Sequence, residues 1–382
     1  MKERYYSLDV FRGATVCLMI LVNNPGTWAH IYPPLKHAAW HGLTPTDLVF
    51  PFFLFAVGNA LSFVMPRLRE GGPAVFWKKV VTRSLIIYLV GLFLTWWPFV
   101  QWREGSLQFR QWVDPQNPES GVRVLGVLAR IAISYFFAAI IIYYFKPRAA
   151  FFIGLLILLT YWLLSFTLGD AADPYSMAGW FGNHVDRALL GVAHMYKGEG
   201  MPFDPEGIMS TLPAIVQVIF GYMVGDYIQK KGKSFEMLTQ LFLAAVALLV
   251  TGYCWDLVFP INKKIWTSSY VVYTTGLAIL TLATLIYFIE FRGARNGITK
   301  FFDVFGKNAL FIFALSAFIP KGLALLRLEN GVNPWNWLYK KLYVNVMPAD
   351  PRFGSLLFAL TVIFFMWFIA WWMDRRRIYV RV

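Results

Sequence analysis

Apolar segments of about twenty residues recur along this sequence, with polar breaks between them. Each segment is about as long as a helix must be to cross roughly 30 Å of hydrocarbon, at about 1.5 Å per residue. The pattern predicts an all-α, polytopic helical membrane protein, and we expect residues 1–382 to form a single transmembrane domain. The predicted spans are roughly 13–30, 47–65, 79–98, 124–145, 149–168, 209–228, 236–258, 269–290, 303–326 and 354–373.

The composition agrees with a chain that uses lipid as part of its solvent. Hydrophobic residues make up 58% of the sequence and charged residues 15%, whereas soluble globular chains have about 45–50% and about 25%. Both cysteines, Cys17 and Cys254, lie inside apolar runs, which argues against a disulfide framework.

The distribution of charge predicts an orientation. The formal net charge is +14, and lysine and arginine are concentrated in alternate short connections, as is typical of cytoplasmic loops. We therefore expect both termini on the cytoplasmic side of a bacterial inner membrane, and we interpret the charge as a topology signal and not as a nucleic-acid-binding surface. The long connections, about 99–123, 169–208, 259–268 and 327–353, then lie outside. Their tryptophans and prolines predict ordered caps that face a partner or substrate.

The first span has the features of a retained helix. Its apolar run "ATVCLMILV" is as short as the hydrophobic region of a signal peptide, but "NNPGTWAHIY" follows in place of a small-residue cleavage site. Pro25 and Gly26 should break the outer half of this helix. Because broken backbone at membrane depth requires protein or a watery cavity around it, we expect a site near Asn23.

Titratable residues cluster in "LKHAAWHGLTPTDLVFPFFLFAVG", ahead of the second span. His37 and His41 are four residues apart, but the glutamate of a zinc motif and a cysteine cluster are both missing from the sequence, so no metal is expected. A histidine here could also be a simple interfacial residue. In "TPTDLVF", Asp47 fits the first turn of a helix that Thr44 or Thr46 caps, which would explain the aspartate without catalysis.

Charged residues near or within the spans need partners. Arg130, in "GVLARIAISYF", cannot lose its charge, so it requires either an acid on another helix or an anionic ligand. Asp9 and Arg12 are three residues apart and could pair on one helix face.

Further charges are predicted on the outer side. In "FDPEGIMSTLPAIV", Asp204 fits a helix cap and Glu206 a first-turn acid that complements the helix dipole. Lys263 and Lys264 form an outer basic pair that breaks the positive-inside trend, and a lysine pair in a loop is normally only solvated.

Six motifs occur in a characteristic order: "YYSLDVFRGATVCLMILVN", "LKHAAWHGLTPTDLVFPFFLFAVG", "GVLARIAISYF", "FDPEGIMSTLPAIVQVIFGYMVGD", "NKKIWTSSYVVYTTGLA" and "FGKNALFIFALS". Together they resemble the heparan-α-glucosaminide N-acetyltransferase family over about residues 5–315. The resemblance implies a transmembrane N-acetyltransferase that moves acetyl from cytosolic acetyl-CoA to a glucosamine amine across the membrane. It also implies a homodimer.

The resemblance assigns roles by motif. His37 corresponds to the family's catalytic histidine, Asn23 to its partner asparagine and Asp47 to its aspartate in "DLVFP". The segment between Asn23 and His37 looks longer than in the lysosomal enzyme, and the large luminal domain of that enzyme does not precede "YSLDVFRG" here. We therefore expect a bacterial wall or glycan amino sugar as the acceptor.

These residue types suit the implied chemistry. A sugar amine is mostly protonated near neutrality, so His37 would remove its proton as general base. Asn23 would stabilise the thioester oxyanion, and Asp47 would orient the imidazole or hold the incoming ammonium. His37 could instead carry the acetyl group in a two-step reaction, although we favour direct transfer.

Charge placement suggests where each substrate binds. The CoA phosphates should meet the cytoplasmic residues Arg12, Lys79 and Arg83, with Arg130 lining the path of the pantetheine arm. On the outer face, the carboxylates that could bind the ammonium of an amino sugar are those of Asp186, Asp204 and Glu206. Two rival functions are an acyltransferase with another donor or acceptor and a transporter or flippase, although we see no pair of related halves.

Overall fold

The computed structural model describes residues 5–328 and 331–380, most of which are helical. The α-helices are α1 (Tyr6–Asn23), α2 (Val49–Glu70), α3 (Gly72–Trp96), α4 (Val127–Tyr144), α5 (Pro147–Thr167), α6 (Phe181–Leu190), α7 (Ile208–Lys231), α8 (Phe235–Asp256), α9 (Ser268–Ile286), α10 (Gly297–Lys307), α11 (Ala309–Leu323), α12 (Pro334–Leu342) and α13 (Pro351–Arg375). The strands are β1 (Val100–Arg103), β2 (Ser106–Phe109), β3 (Val113–Asp114) and β4 (Asn117–Gly121).

Nine helices in the described part of the chain are long and apolar enough to cross a membrane. They correspond to nine of the ten predicted spans, which confirms a polytopic helical membrane protein. In the most hydrophobic window of α7, 78% of the residues are buried, against 28% in each of α3, α5 and α8. The bundle therefore has α7 near its centre and presents α3, α5 and α8 to lipid.

The span predicted at 303–326 is not one straight helix. In its place, α10 and α11 meet at an angle of 80°. Asn308 lies at the break, where its side-chain amide donates to the Ile378 carbonyl at 3.0 Å and accepts from the Val380 amide at 2.9 Å. The helix bends here because the Asn308 side chain bonds the backbone after α13, an interaction between distant segments that periodicity does not show.

The first span also differs from the prediction in its limits. Helix α1 begins at Tyr6, about two turns earlier than predicted, and the Asp9 carboxylate lies 3.6 Å from the Arg12 guanidinium on one helix face. The helix ends at Asn23, just before Pro25 and Gly26, which confirms the predicted break.

Glycines allow the central helices to approach closely. A side chain on Gly13 of α1 would collide with the backbone of Phe302 in α10, and one on Gly58 of α2 with the backbone of Val218 in α7. Small residues at such contacts are the usual device for packing helices in lipid. These contacts fix α1, which ends at Asn23, and α2, which begins just after Asp47.

The connections predicted on the outer face are ordered. Strands β1 and β2 form one antiparallel hairpin and β3 and β4 another, while α6 and α12 cover neighbouring parts of the same end of the bundle. The ordered caps predicted from tryptophan and proline content are therefore present, although residues 329 and 330 lie outside the described residues.

Candidate active site

His37 and Asp47 form a hydrogen-bonded pair at the N-terminal end of α2. The Nδ1 atom of His37 lies 2.6 Å from Oδ1 of Asp47. The other oxygen of Asp47 accepts hydrogen bonds at 3.0 Å from the Ala38 amide, the Thr44 amide and the Thr44 hydroxyl. The predicted helix cap at Thr44 is confirmed, and the same carboxylate also contacts the imidazole.

This arrangement fixes which histidine nitrogen can act as a base. Because Asp47 accepts the Nδ1 proton, the neutral ring keeps its lone pair on Nε2. The His37 side chain is 43% exposed, whereas that of Asp47 is 1% exposed. The Tyr270 hydroxyl of α9 donates to the Asp47 carbonyl at 2.6 Å and holds this turn against the bundle. The site therefore has an accessible base and a buried, oriented partner.

Lys263 joins the pair, which our sequence reasoning did not predict. Its Nζ atom lies 3.1 Å from Nδ1 and 3.2 Å from Nε2 of His37, and 3.9 Å from Oδ1 of Asp47. Burial lowers the pKa of the Lys263 ammonium, against the opposing effect of the Asp47 charge. Two sequence signals pointed to Lys263: with Lys264 it broke the positive-inside trend, and it lies in the motif "NKKIWTSSYVVYTTGLA".

Asn23 is the last residue of α1, and its side chain is exposed. The next residue, Asn24, is buried and donates to the Ile20 carbonyl at 3.0 Å. Among the residues that the structure describes, no hydrogen bond joins the Asn23 amide to His37 or Asp47. Its role in catalysis stays a prediction.

A cavity of about 910 Å³ opens at the opposite end of the bundle, predicted to be cytoplasmic. Three of the four predicted CoA-binding residues, Arg12, Lys79 and Arg83, line it. Three further cations in its wall, missed by sequence reasoning, are Arg67, Lys78 and Lys307. None of the described residues that line the cavity carries a carboxylate, so its charge suits an anionic ligand.

Among the described residues, Arg83 has a buried guanidinium donor without a partner. Its guanidinium lies 4.8 Å from the ring centre of Tyr135, and its Nε atom is buried without a hydrogen-bond partner among the described residues. An unpaired donor on a guanidinium favours a phosphate or carboxylate ligand, which arginine can bind through two nitrogens.

Arg130 lies between the cavity and the His37 pair, and it does not line the cavity. It is fully buried, donates to the Pro205 carbonyl at 2.6 Å and to the Ser210 hydroxyl, and lies 4.9 Å from the Trp266 ring centre. Its Nε and Nη1 atoms have no partner in the described part of the chain. The sequence left two explanations for the charge of Arg130, an ion pair with an acid or an anionic ligand. Among the described residues Arg130 forms no ion pair with an acid; its Nη2 atom donates to a carbonyl and a hydroxyl instead.

Asp204 and Glu206 both pair with Arg123, which sequence reasoning missed. The Arg123 guanidinium donates to the two Asp204 oxygens at 3.0 and 2.5 Å and also to Glu206. Burial raises the pKa of Asp204; burial also acts to raise that of Glu206, but Arg123 and Arg130 outweigh it and the Glu206 pKa is lowered.

Asp186 caps α7 from the neighbouring helix α6. Its Oδ1 atom accepts from the Ile208 amide at 2.8 Å, and burial raises the pKa of this carboxyl to about 7. Asp186, Asp204 and Glu206 all bond protein groups, which favours their structural reading. Their role in binding an amino sugar stays a prediction.

Comparison with known proteins identifies a family. A family model described as "Heparan-alpha-glucosaminide N-acetyltransferase, catalytic" matches residues 4–259. The chain belongs to this family. The heparan-alpha-glucosaminide N-acetyltransferase of Homo sapiens is 26% identical over 366 residues, which cover 82% of this chain and 52% of the relative. That of Mus musculus is 26% identical over 364 residues, covering 81% and 53%. The chain spans about half the length of the curated relatives it matches.

In this member of the N-acetyltransferase family, α2 joins the two sites. Asp47 lies in the turn that begins the span, and the first α2 residue in the cavity wall is Phe53, about 9 Å further along a helix. Between them, Phe50 packs on the Trp266 ring with centroids 5.0 Å apart, and the Arg130 guanidinium lies 5.9 Å from the Phe50 ring. These three side chains, Phe50, Arg130 and Trp266, form a septum between the cavity and the His37 pair.

Proposed function

We propose that this protein is a transmembrane N-acetyltransferase. It would move acetyl from acetyl-CoA, bound in the cationic cavity on the cytoplasmic side, to the amine of a glucosamine-type sugar on the outer face. The observation that carries this proposal is that one helix, α2, runs from the cationic cavity to the His37–Asp47 pair. In this proposal, the path along α2 joins the binding site of the acetyl donor to the binding site of the acceptor amine.

The shape of the cavity supports an extended donor. The α2 residues in its wall repeat every three or four positions, along one face of the helix, and are Phe53, Ala56, Val57, Ala60, Phe63, Val64, Arg67 and Leu68. Fifteen steps of about 1.5 Å give a wall roughly 22 Å long. On α2, Arg67 lies at the end of this wall far from Asp47, and the apolar residues Phe53, Ala56 and Val57 lie at the near end. A phosphate-bearing molecule with a thin arm would fit with its acyl end uppermost.

Arg130 suits the end of that arm. Three N–H groups, on its Nε and Nη1 atoms, are buried without acceptors among the described residues, which is costly for a cation unless a ligand supplies them. An amide or thioester carbonyl would satisfy one of them. We propose that Arg130 binds such a carbonyl while the septum opens around the arm.

His37 would catalyse direct transfer. A sugar ammonium first loses one proton to solvent; Nε2 then takes a second proton from the attacking amine as the amine nitrogen bonds to the acetyl carbon. The tetrahedral intermediate collapses as the carbon–sulfur bond breaks, and His37 returns a proton to the departing thiolate. Asp47 stabilises the imidazolium between these steps and keeps the ring oriented.

The remaining features belong to the same proposal. The termini would be cytoplasmic and the membrane a bacterial inner membrane, with the whole chain forming one domain. A bacterial wall or glycan amino sugar would be the acceptor, no metal or nucleic acid would take part, and the protein would form homodimers. Asn23 would contribute from the end of α1, and Asp186, Asp204 and Glu206 from the acceptor side.

The test is an acetyl-transfer assay with the purified protein in lipid. Labelled acetyl-CoA is supplied with a panel of amino sugars, and wild type is compared with His37→Ala. We expect at least a 10²-fold loss of kcat in His37→Ala, the usual scale for a general base. His30→Ala is the matched control, because His30 is an exposed histidine of the same segment.

Two outcomes would contradict the proposal. No transfer by wild type to any amino sugar would remove the acetyltransferase function, and uptake of an unmodified sugar would then favour the transporter. Equal rates for wild type and His37→Ala would leave the reaction but remove His37 as its base.

A further inference from the structure

Lys263 lies in a rigid turn between α8 and α9. The side-chain oxygen of Asn262 accepts from the amides of Lys264 at 2.7 Å and Ile265 at 3.1 Å. The amide of Asn262 in turn donates to the Thr267 hydroxyl at 3.0 Å. All these groups apart from Lys263 and Lys264 are buried. The backbone therefore holds Lys263 in one place beside the His37 pair.

The lysine nitrogen lies over the face of the imidazole. It is almost equally distant from the two ring nitrogens, at 3.1 and 3.2 Å. If Nζ lay in the plane of the ring at these distances from Nδ1 and Nε2, it would overlap the ring carbon between the two nitrogens. Nζ must therefore lie above the plane of the ring. From there it leaves the Nε2 lone pair free for an incoming amine.

Lys263 is a counter-ion of Asp47 but not its hydrogen-bond partner. The Asp47 carboxylate accepts hydrogen bonds from His37, Ala38 and Thr44, while Nζ of Lys263 is 3.9 Å away. An ammonium has three N–H groups. Within the described part of the chain, Nζ is within hydrogen-bond distance of the His37 ring alone, and because it lies over the ring face and not in line with a lone pair, its N–H groups stay available for a further acceptor.

The adjacent lysine shows the opposite arrangement. The Lys264 ammonium donates to the Ala39 carbonyl at 2.8 Å and to the Glu199 carboxylate at 2.5 Å, and it also lies 5.9 Å from the centre of the Trp40 ring. Its contacts explain its position without a ligand. Lys264 therefore serves as a matched control for Lys263.

We propose that Lys263 is a further catalytic residue, whose ammonium stabilises the oxyanion formed on the acetyl carbonyl when the amine attacks. This inference rests on the proposed function. The amine must lie at Nε2 to lose its proton, so the carbonyl that it attacks lies beside the same nitrogen, within reach of Nζ. Among the described residues, the exposed Asn23 makes no such contact with His37, so Lys263 is the better placed of the two to stabilise the oxyanion. A donor fixed beforehand near the developing charge is typically worth 10²–10³ in kcat.

The charge of Lys263 gives a second readout. The charged or titratable groups around it are His37, Asp47, Glu206, Lys264 and Arg130. Because burial lowers the pKa of Lys263, the ammonium is lost at lower pH than for a solvated lysine, and kcat should fall as the pH rises through that value. A guanidinium keeps its charge there. In Lys263→Arg, this basic limb should be missing.

The experiment compares wild type, Lys263→Met, Lys263→Arg and Lys264→Met in the acetyl-transfer assay, with saturating acetyl-CoA and amino sugar. We expect kcat to fall about 10²–10³-fold in Lys263→Met, to recover at least tenfold in Lys263→Arg, and to stay within threefold of wild type in Lys264→Met. Binding of acetyl-CoA, measured by calorimetry, should be unchanged in all three because the cavity is at the other end of α2.

Several results would overturn the inference. One is a Lys263→Met enzyme as fast as wild type, and another is an equal loss in the Met and Arg variants, which would show a structural role. If Lys263→Met fails to bind acetyl-CoA because it misfolds, the pH profile of Lys263→Arg decides, and an unchanged basic limb refutes the role. A wild type without activity would refute the proposed function and not this inference alone.

Discussion

At the scale of single residues, the candidate site depends on which oxygen of Asp47 faces which donor. Oδ2 accepts from the Ala38 amide, the Thr44 amide and the Thr44 hydroxyl, while Oδ1 faces His37. Thr44 supplies the helix cap and His37 the candidate base, so a single carboxylate begins a helix and orients a ring. The capping and catalytic readings of Asp47 are therefore compatible.

This geometry predicts the effect of Asp47→Asn. An amide has only one oxygen, and the three donors at the Oδ2 position require it there. The NH₂ group then faces Nδ1 of His37, which must become an acceptor, so the ring proton moves to Nε2 and the base is lost. We expect kcat to fall about 10²–10⁴-fold with acetyl-CoA binding retained. The assay and calorimetry described above measure both quantities.

Asp256→Asn is the control for Asp47→Asn, since Asp256 accepts from the Ile261 amide at the same end of the bundle without contacting His37. An Asp47→Asn enzyme with wild-type kcat would show that the ring orientation does not matter. Equal losses in the two variants would indicate a general loss of structure.

At the scale of elements, sequence predicted local features and missed contacts between distant segments. The capping of α2 at Thr44 and the break after Asn23 depend on neighbouring residues, so residue types at fixed spacing were sufficient. The bend at Asn308 depends on the chain after α13, and the pairing of Asp204 depends on Arg123, 81 residues away. Hydrophobic periodicity contains no information about such partners.

The contact between α6 and α7 predicts a pH-dependent stability. Burial raises the Asp186 pKa to about 7 from its model-compound value of 3.8. The folded state therefore binds this proton more strongly than the unfolded state, and stability is lost as the pH rises from about 4 to 7. In Asp186→Asn the Ile208 amide keeps an oxygen acceptor, so this loss should disappear.

We expect Asp186→Asn to raise Tm by a few degrees at pH 8 and to leave it nearly unchanged at pH 4.5. Differential scanning fluorimetry of the protein in detergent would measure both values. Asp170→Asn is the control, because Asp170 is an exposed loop residue that accepts from the Ala172 amide. A Tm difference between Asp186→Asn and wild type that is the same at both pH values would contradict the assignment.

At the scale of the whole molecule, α2 joins two charged regions: the cationic cavity at one end and the His37–Asp47 pair at the other. Sequence reasoning placed Arg12, Lys79 and Arg83 on one side from the positive-inside trend, and all three line the same cavity. It also placed Arg130 near the path, but it could not show that Arg130 lies with Phe50 and Trp266 in a septum. Helix order follows from the sequence, whereas the angle and depth at which helices meet do not.

The cavity predicts how the donor is recognised. Arg83 has a buried Nε atom without a partner among the described residues, so replacing it removes a donor and a charge from the cavity wall. In Arg83→Met we expect KM for acetyl-CoA to rise about tenfold, because a hydrogen bond to a charged group contributes about 1.5–3 kcal/mol. The KM for the amino sugar should not change, since in the proposed function the acceptor would bind at the other end of α2.

Two comparisons make this prediction specific to phosphate. With acetylated pantetheine, which has the thioester arm without the nucleotide phosphates, Arg83→Met and wild type should have similar KM values, because the lost contact is to a group that this donor lacks. Lys146→Met is the control, since Lys146 is exposed at the start of α5 and does not line the cavity. If Arg83→Met raised KM equally for both donors, Arg83 would bind the arm and not the phosphates. If it raised neither, the cavity would not be the donor site, and the path along α2 would lose its cytoplasmic end.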